Sequence, residues 1–173
     1  KFQFIAIGSL IPVKGFSRLI QAASIVKNKG HNFCISIIGS GAEESKLKTQ
    51  INDLNLNETV SLLGFQTNPY PYLKNGDAFI MSSLSEALPT VLCEAMVLGK
   101  PVIATNCSGC RELVDGNKYG LLAEQSADSL AEKMELYLTD PSLLIHYQQM
   151  SQQRAAIFDD GKILNRYYQI FDS

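Results

Sequence analysis

Strand-like and helix-like stretches alternate along the whole chain, and no other feature restricts its fold so tightly. FQFIAIG, NFCISIIG, TVSLLGF, DAFIMSS, PVIAT and GLLAE are the strand candidates, in that order. Their apolar residues run on without polar alternation, as in FIAI, CISII and AFIM, the pattern of strands covered on both faces. Between them, GFSRLIQAASIVKNKG sets Phe16, Leu19, Ile20, Ala23 and Val26 at helical spacing, with Gly30 as a stop. ESKLKTQINDLNL is also helical, and PYPYLKNG admits only a short helix with Pro69 and Pro71 at its start. PTVLCEAMVLGK is a helix with Pro89 in its first turn and Gly99 at its end, and CRELVDG is a short helical turn. From Ser126 onward the pattern is helical, broken at Asp140-Pro141. This order predicts a Rossmann-like, doubly wound parallel sheet of about six strands with helices on both faces, whose ligand crevice lies at the carboxyl ends of the strands.

Composition narrows the classes. A chain of 173 residues, 46% hydrophobic and 18% charged, suits one globular domain with a proper core. A net charge of -2 supplies no basic field for nucleic acid. No apolar run approaches the roughly 20 residues of a membrane span, and no signal-peptide pattern is visible. The chain opens KFQFIAIGSL and its first methionine is Met81, so the expectation is a piece of a longer protein. Of the four cysteines, Cys34 and Cys93 lie in apolar runs and read as small core residues. Cys107 and Cys110 form a CxxC without further ligands at metal spacing, because His31 and His146 do not match. They read as reduced loop thiols of a cytoplasmic protein, with a redox pair as the rival.

The loops after the strands hold the candidate site. Gly8, Ser9 and Lys14 follow the first strand; Gly39, Ser40 and Gly41 the second; Gly64, Phe65 and Gln66 the third; Ser82 through Thr90 the fourth. IGSLIPVKG has neither the GxGxxG of dinucleotide sites nor a P-loop, yet its glycines permit close backbone approach and its lysine faces the same mouth. SEALPTVLCEAM carries Glu86 ahead of a proline-marked helix start and Glu94 roughly 7 Å further along that helix at 1.5 Å per residue. Between the two carboxylates lie the free N–H groups of a helix start, which bind anions. The order carboxylate, anion site, carboxylate complements sugar hydroxyls, diphosphate and ribose hydroxyls of a nucleoside diphosphate sugar. The plain alternative is a solvated Glu86, with Glu94 paired on a surface to Lys100 or Arg111.

SEALPTVLCEAMVLGKPVIATNCSGCRELV resembles the donor-binding signature of glycosyltransferase family 4, the retaining GT-B enzymes of group 1. The matching parts are Glu86, Glu94, the GKPVIA segment, and Gly109 with Glu112. GSLIPVKGFSRLIQA, IIGSGAEESKL, LLGF and DGNKYGLL resemble further segments of that family in order, so the likeness runs through nearly the whole chain. The resemblance implies that residues 1–173 form the carboxyl-terminal donor-binding domain of a hexosyltransferase of polysaccharide biosynthesis, with the amino-terminal acceptor domain absent. It implies that Glu86 and Lys14 are catalytic. Glu94 would hold ribose hydroxyls, and Glu86 the sugar hydroxyls with the backbone of Ala87, Leu88 and Pro89, ahead of Thr90. Lys14 would pair with the diphosphate beside Gly8, Ser9 and Gly39, while Gly64, Phe65 and Gln66 frame the base. No cofactor or metal is implied. The expected partners are a nucleotide sugar (a UDP sugar favoured), the missing amino-terminal domain and a glycan or lipid-linked acceptor. The expected place is the cytoplasm or the inner face of the membrane, with peripheral contact made by the missing half. Two departures stand out: Ser9 where the family often has arginine, and the CSGC of the fifth loop. The alternatives are a non-catalytic nucleotide-binding module and a GT-B type sugar-nucleotide epimerase domain, which calls for a histidine near the crevice.

Overall fold

The computed structural model describes residues 1–158; the helical continuation expected beyond them lies outside the described residues. The strands are β1 (Phe2–Ile7), β2 (Phe33–Ile38), β3 (Val60–Gly64), β4 (Ala78–Met81), β5 (Val102–Thr105) and β6 (Leu121–Ala123). They alternate with α1 (Phe16–Asn28), α2 (Glu44–Asp53), α3 (Tyr70–Asn75), α4 (Thr90–Val97) and α5 (Ser108–Val114), followed by α6 (Ala127–Thr139) and α7 (Pro141–Phe158). All five strand pairings are parallel, in the order β3-β2-β1-β4-β5-β6. The expected doubly wound sheet is therefore present.

Both sheet faces are buried, which explains the unbroken apolar runs. Phe4, Ala6, Ile35, Ile37 and Ile80 pack against Leu19 and Ile20 of α1, Leu47 of α2 and Met134 of α6. Ile5, Phe79, Met81 and Val102 turn to the opposite face, against Leu73 of α3, Leu92 and Met96 of α4 and Val114 of α5. Tyr137, 2% exposed, donates its hydroxyl to the Val102 carbonyl at 2.8 Å and so ties α6 to β5.

Three expectations change in detail. Pro89 is the residue before α4, with φ -79° and ψ 80°, not a residue of its first turn. The short fifth helix, expected from Cys110, begins two residues earlier at Ser108, so Ser108 and Gly109 are helical too and only Cys107 of the CxxC is a loop residue. Cys34 is half-buried, not core: its thiol contacts Gln3 Oε1 at 2.7 Å, because this stretch of sheet face is polar.

Strand order decides where the site can be. Successive strands run outward from β1 to β3, and the chain then returns to lay β4 on the other side of β1. The loops leaving β1 and β4 therefore diverge at the switch point, where open α/β sheets hold their ligands.

Candidate functional site

Lys14 and Glu86 meet at that switch point. Lys14 ends a single 3-10 turn (Pro12–Lys14) after β1. Gly15, at φ 68°, then starts α1 hard against β4, where an added Cβ would overlap the Ser82 carbonyl oxygen. The Ser82 hydroxyl donates to the Lys14 carbonyl at 2.9 Å, and the Leu84 N–H to the Val13 carbonyl at 2.8 Å. These contacts stitch the two loops together, and Lys14 Nζ lies 2.7 Å from Glu86 Oε1. The Ser83 hydroxyl donates to the same Oε1 at 2.8 Å. Glu86 is held from behind as well, where the Gly109 N–H donates to its carbonyl at 2.9 Å.

Beside this pair, the ends of β1, β2 and β3 enclose a cavity of about 240 Å³. Gly8, Ser9, Gly39, Phe65 and Gln66 line it with Ser40 and Pro69. The loops pack closely: Gly8 N–H donates to the Ile38 carbonyl and Gly39 N–H to the Gly64 carbonyl, both at 2.9 Å. Gly39 sits at φ 150°, where an added Cβ would overlap the Gly8 carbonyl oxygen. Phe65 leaves 72% of its surface exposed at the cavity mouth, an apolar plate open to a planar ligand.

The start of α4 supplies donors. The Thr90 N–H goes to the Leu88 carbonyl and the Cys93 N–H to the Pro89 carbonyl. Val91 and Leu92 have no such backbone acceptor among the described residues, as expected of first-turn groups. Glu94 is the fifth residue of α4 and only 7% exposed, so it is not a solvated surface residue. Lys100 is occupied elsewhere, donating to the Lys74 and Gly76 carbonyls, and Arg111 donates to Asn106.

Five of the sequence-predicted residues therefore share one cavity, Lys14 and Glu86 form an ion pair beside it, and Ala87, Leu88, Pro89, Thr90 and Glu94 form the adjoining loop and helix. Gly64 is not in the cavity wall and serves through its carbonyl. Behind the loop, the Cys110 thiol is raised by burial first, then by the nearby Cys107, with the Glu86 charge adding to it. Neither histidine reaches the crevice: His31 lies 3.8 Å from Glu135, and the His146 ring packs on Tyr147. Sequence reasoning missed Ser83 and Thr105 as supports of the loop. The Ser82-Ser83 step at a strand end was the visible signal, but its partners are set only by strand order.

A family model described as Glycosyl transferases group 1 matches residues 1–156. The chain belongs to that family. This glycosyltransferase domain is 44% identical over 114 residues to the uncharacterized glycosyltransferase MJ1059 of Methanocaldococcus jannaschii, covering 65% of this chain and 28% of that protein. It is 33% identical over 161 residues to the N-acetylgalactosamine-N,N'-diacetylbacillosaminyl-diphospho-undecaprenol 4-alpha-N-acetylgalactosaminyltransferase of Campylobacter jejuni, covering 92% of this chain and 43% of that one. The crystal structure of S. aureus TarM superimposes with a TM-score of 0.85 at 25% identity, over 100% of this domain and 36% of TarM. The domain thus spans less than half the length of each of these proteins. Its sheet and helices match those of GT-B glycosyltransferase domains. No described helix is long and apolar enough to cross a membrane.

Proposed function

We propose that this domain is the carboxyl-terminal, donor-binding half of a retaining family 4 hexosyltransferase that moves a sugar from a nucleoside diphosphate sugar to a glycan or lipid-linked acceptor. The observation that carries it is the ion pair of Lys14 and Glu86 at the switch point, between a cavity edged by Phe65 and the start of α4. The base fits the cavity, with Phe65 and Gln66 at its edge. The diphosphate lies over Gly8, Ser9 and Gly39, facing Lys14 and the N–H groups of Val91 and Leu92. Glu94 takes the ribose hydroxyls and Glu86 those of the sugar.

The chemistry follows from these placements. When the bond between the anomeric carbon and the diphosphate breaks, its electron pair stays on the diphosphate. Lys14 and the α4 start stabilise that growing charge in place, without a metal. With Ser9 neutral, Lys14 is the cation of the β1 loop that bears this load. A uridine diphosphate donor is favoured: a TarM mutant structure carries UDP. The Campylobacter relative is named for a diphospho-undecaprenol-linked acceptor, which supports a lipid-linked one here. The acceptor site and any peripheral membrane contact belong to an amino-terminal domain, so this chain alone binds donor without turnover.

A thermal-shift screen against UDP, GDP, ADP and their glucose and N-acetylglucosamine conjugates tests this. One set at about 100 times its Kd should add about 2.7 kcal/mol, a rise of about 5–10 °C for a chain of this size. No shift with any of them would overturn the assignment.

A further inference from the structure

We infer that Ser83 is a positioning residue: it keeps Glu86 Oε1 anchored when Lys14 turns to the diphosphate, so that Oε2 stays presented to the donor sugar. This rests on the donor function proposed above. Glu86 Oε1 accepts from both Lys14 Nζ at 2.7 Å and Ser83 Oγ at 2.8 Å. Oε2 accepts no hydrogen bond among the described residues, and the Glu86 side chain is 12% exposed. One oxygen is thus held twice while the other is left for a ligand.

The two holders differ in kind. Lys14 is a flexible cation with a 26% exposed side chain. A diphosphate competes for its ammonium directly, since phosphate oxygens and carboxylates draw the same charge-assisted hydrogen bonds. A carboxylate held by Lys14 alone would lose its anchor as the donor arrives. Ser83 is neutral, 2% exposed and short, so no ligand charge draws it away. Its backbone is fixed in turn: the Thr105 hydroxyl, 0% exposed, donates to the Ser83 carbonyl at 2.5 Å and contacts the Met81 carbonyl at 3.3 Å. With the Gly109 bond to the Glu86 carbonyl, the loop is pinned from β5 and from α5, and Ser83 carries that rigidity to the carboxylate.

Calorimetry with UDP and UDP-glucose, or the GDP or ADP pair if it binds tighter, tests this. Ser83→Ala should weaken the nucleotide sugar about tenfold, the equivalent of 1.4 kcal/mol, and leave the free diphosphate within twofold. Ser83→Thr, which keeps the hydroxyl, should restore most of the loss. In a Glu86→Ala background, which removes the acceptor, Ser83→Ala should add less than twofold. If Ser83→Ala does not fold, Thr105→Val carries the test, with a loss of about threefold confined to the nucleotide sugar. Equal losses for diphosphate and nucleotide sugar, additivity with Glu86→Ala, or no loss while Glu86→Ala alone weakens the sugar would overturn the role of Ser83. No binding of any nucleotide sugar by the unaltered chain would instead overturn the donor function.

Discussion

Alanine at position 109 sets three effects against one another. Gly109 is the second residue of α5, and its N–H donates to the Glu86 carbonyl at 2.9 Å. Helix propensity alone favours alanine by up to about 1 kcal/mol. Yet the new Cβ would lie 2.5 Å from the Glu86 oxygen, 2.7 Å from the Ala87 oxygen and 2.9 Å from Pro89 Cδ. Carbon–oxygen contacts settle at about 3.3 Å or more, so the loop and helix must part by about 0.8 Å. Both oxygens are backbone and cannot rotate aside. Overpacking of this kind costs about 1–3 kcal/mol, and the strained N–H bond about 1 kcal/mol more. The net expectation is a loss of about 2 kcal/mol, a fall of about 4–8 °C in Tm, with weakened nucleotide-sugar binding because Glu86 moves. Gly116→Ala is the control. It sits at φ 68° with open space around its Cβ position, so it should cost about 1 kcal/mol and leave binding unchanged. Thermal melts and calorimetry on both variants decide the matter. A Gly109→Ala protein as stable as the parent, or one that binds donor equally well, would refute the idea that α5 buttresses this loop.

Other outcomes follow from the core. Burial, and then the Glu94 charge, push the Cys93 thiol from 9.0 up to about 11. A thiol whose folded pKa is raised contributes stability that is complete below pH 9.0 and is lost as pH climbs through about 11. Half-buried Lys100 is shifted down by desolvation and opposes this, so the comparison is with Cys93→Ala, whose Tm should fall less steeply over that range. Tyr137→Phe removes a buried hydroxyl bond to Val102 and should cost about 1–2 kcal/mol, read as a fall of about 2–8 °C in Tm. Cys107→Ser should leave nucleotide-sugar affinity within about twofold, since neither thiol is assigned a contact with the donor; a tenfold loss would contradict that.

The fold was legible because both sheet faces are apolar. FIAI and CISII can hardly serve any other architecture, and glycine and proline marked most helix ends. The site was legible in part, since residues after strand ends in this topology share one rim. What could not be seen was pairing. Lys14 and Glu86 are 72 positions apart in the chain and meet only because β4 lies next to β1. Ser83 likewise reads as one serine among several until Thr105, on a neighbouring strand, is placed beside it. The start of α5 was missed because Cys107, whose side chain makes no cap hydrogen bond, gives no capping signal. Cys34 was misjudged because its neighbours in the sheet, Gln3 and Ser36, are hydrogen-bonded to each other and make that stretch polar.

Glu86 and Glu94 should contact opposite ends of one donor, and calorimetry of two alanine variants tests this most directly. Glu94→Ala should weaken the free nucleoside diphosphate and the nucleotide sugar alike, because both carry the ribose. Glu86→Ala should weaken mainly the nucleotide sugar, because the free diphosphate has no sugar to lose. Each lost charge-assisted hydrogen bond is worth about 1.5–3 kcal/mol, a loss of about 10- to 150-fold in Kd. Equal losses for the free diphosphate in the two variants would contradict the assignment of the two carboxylates to the two ends.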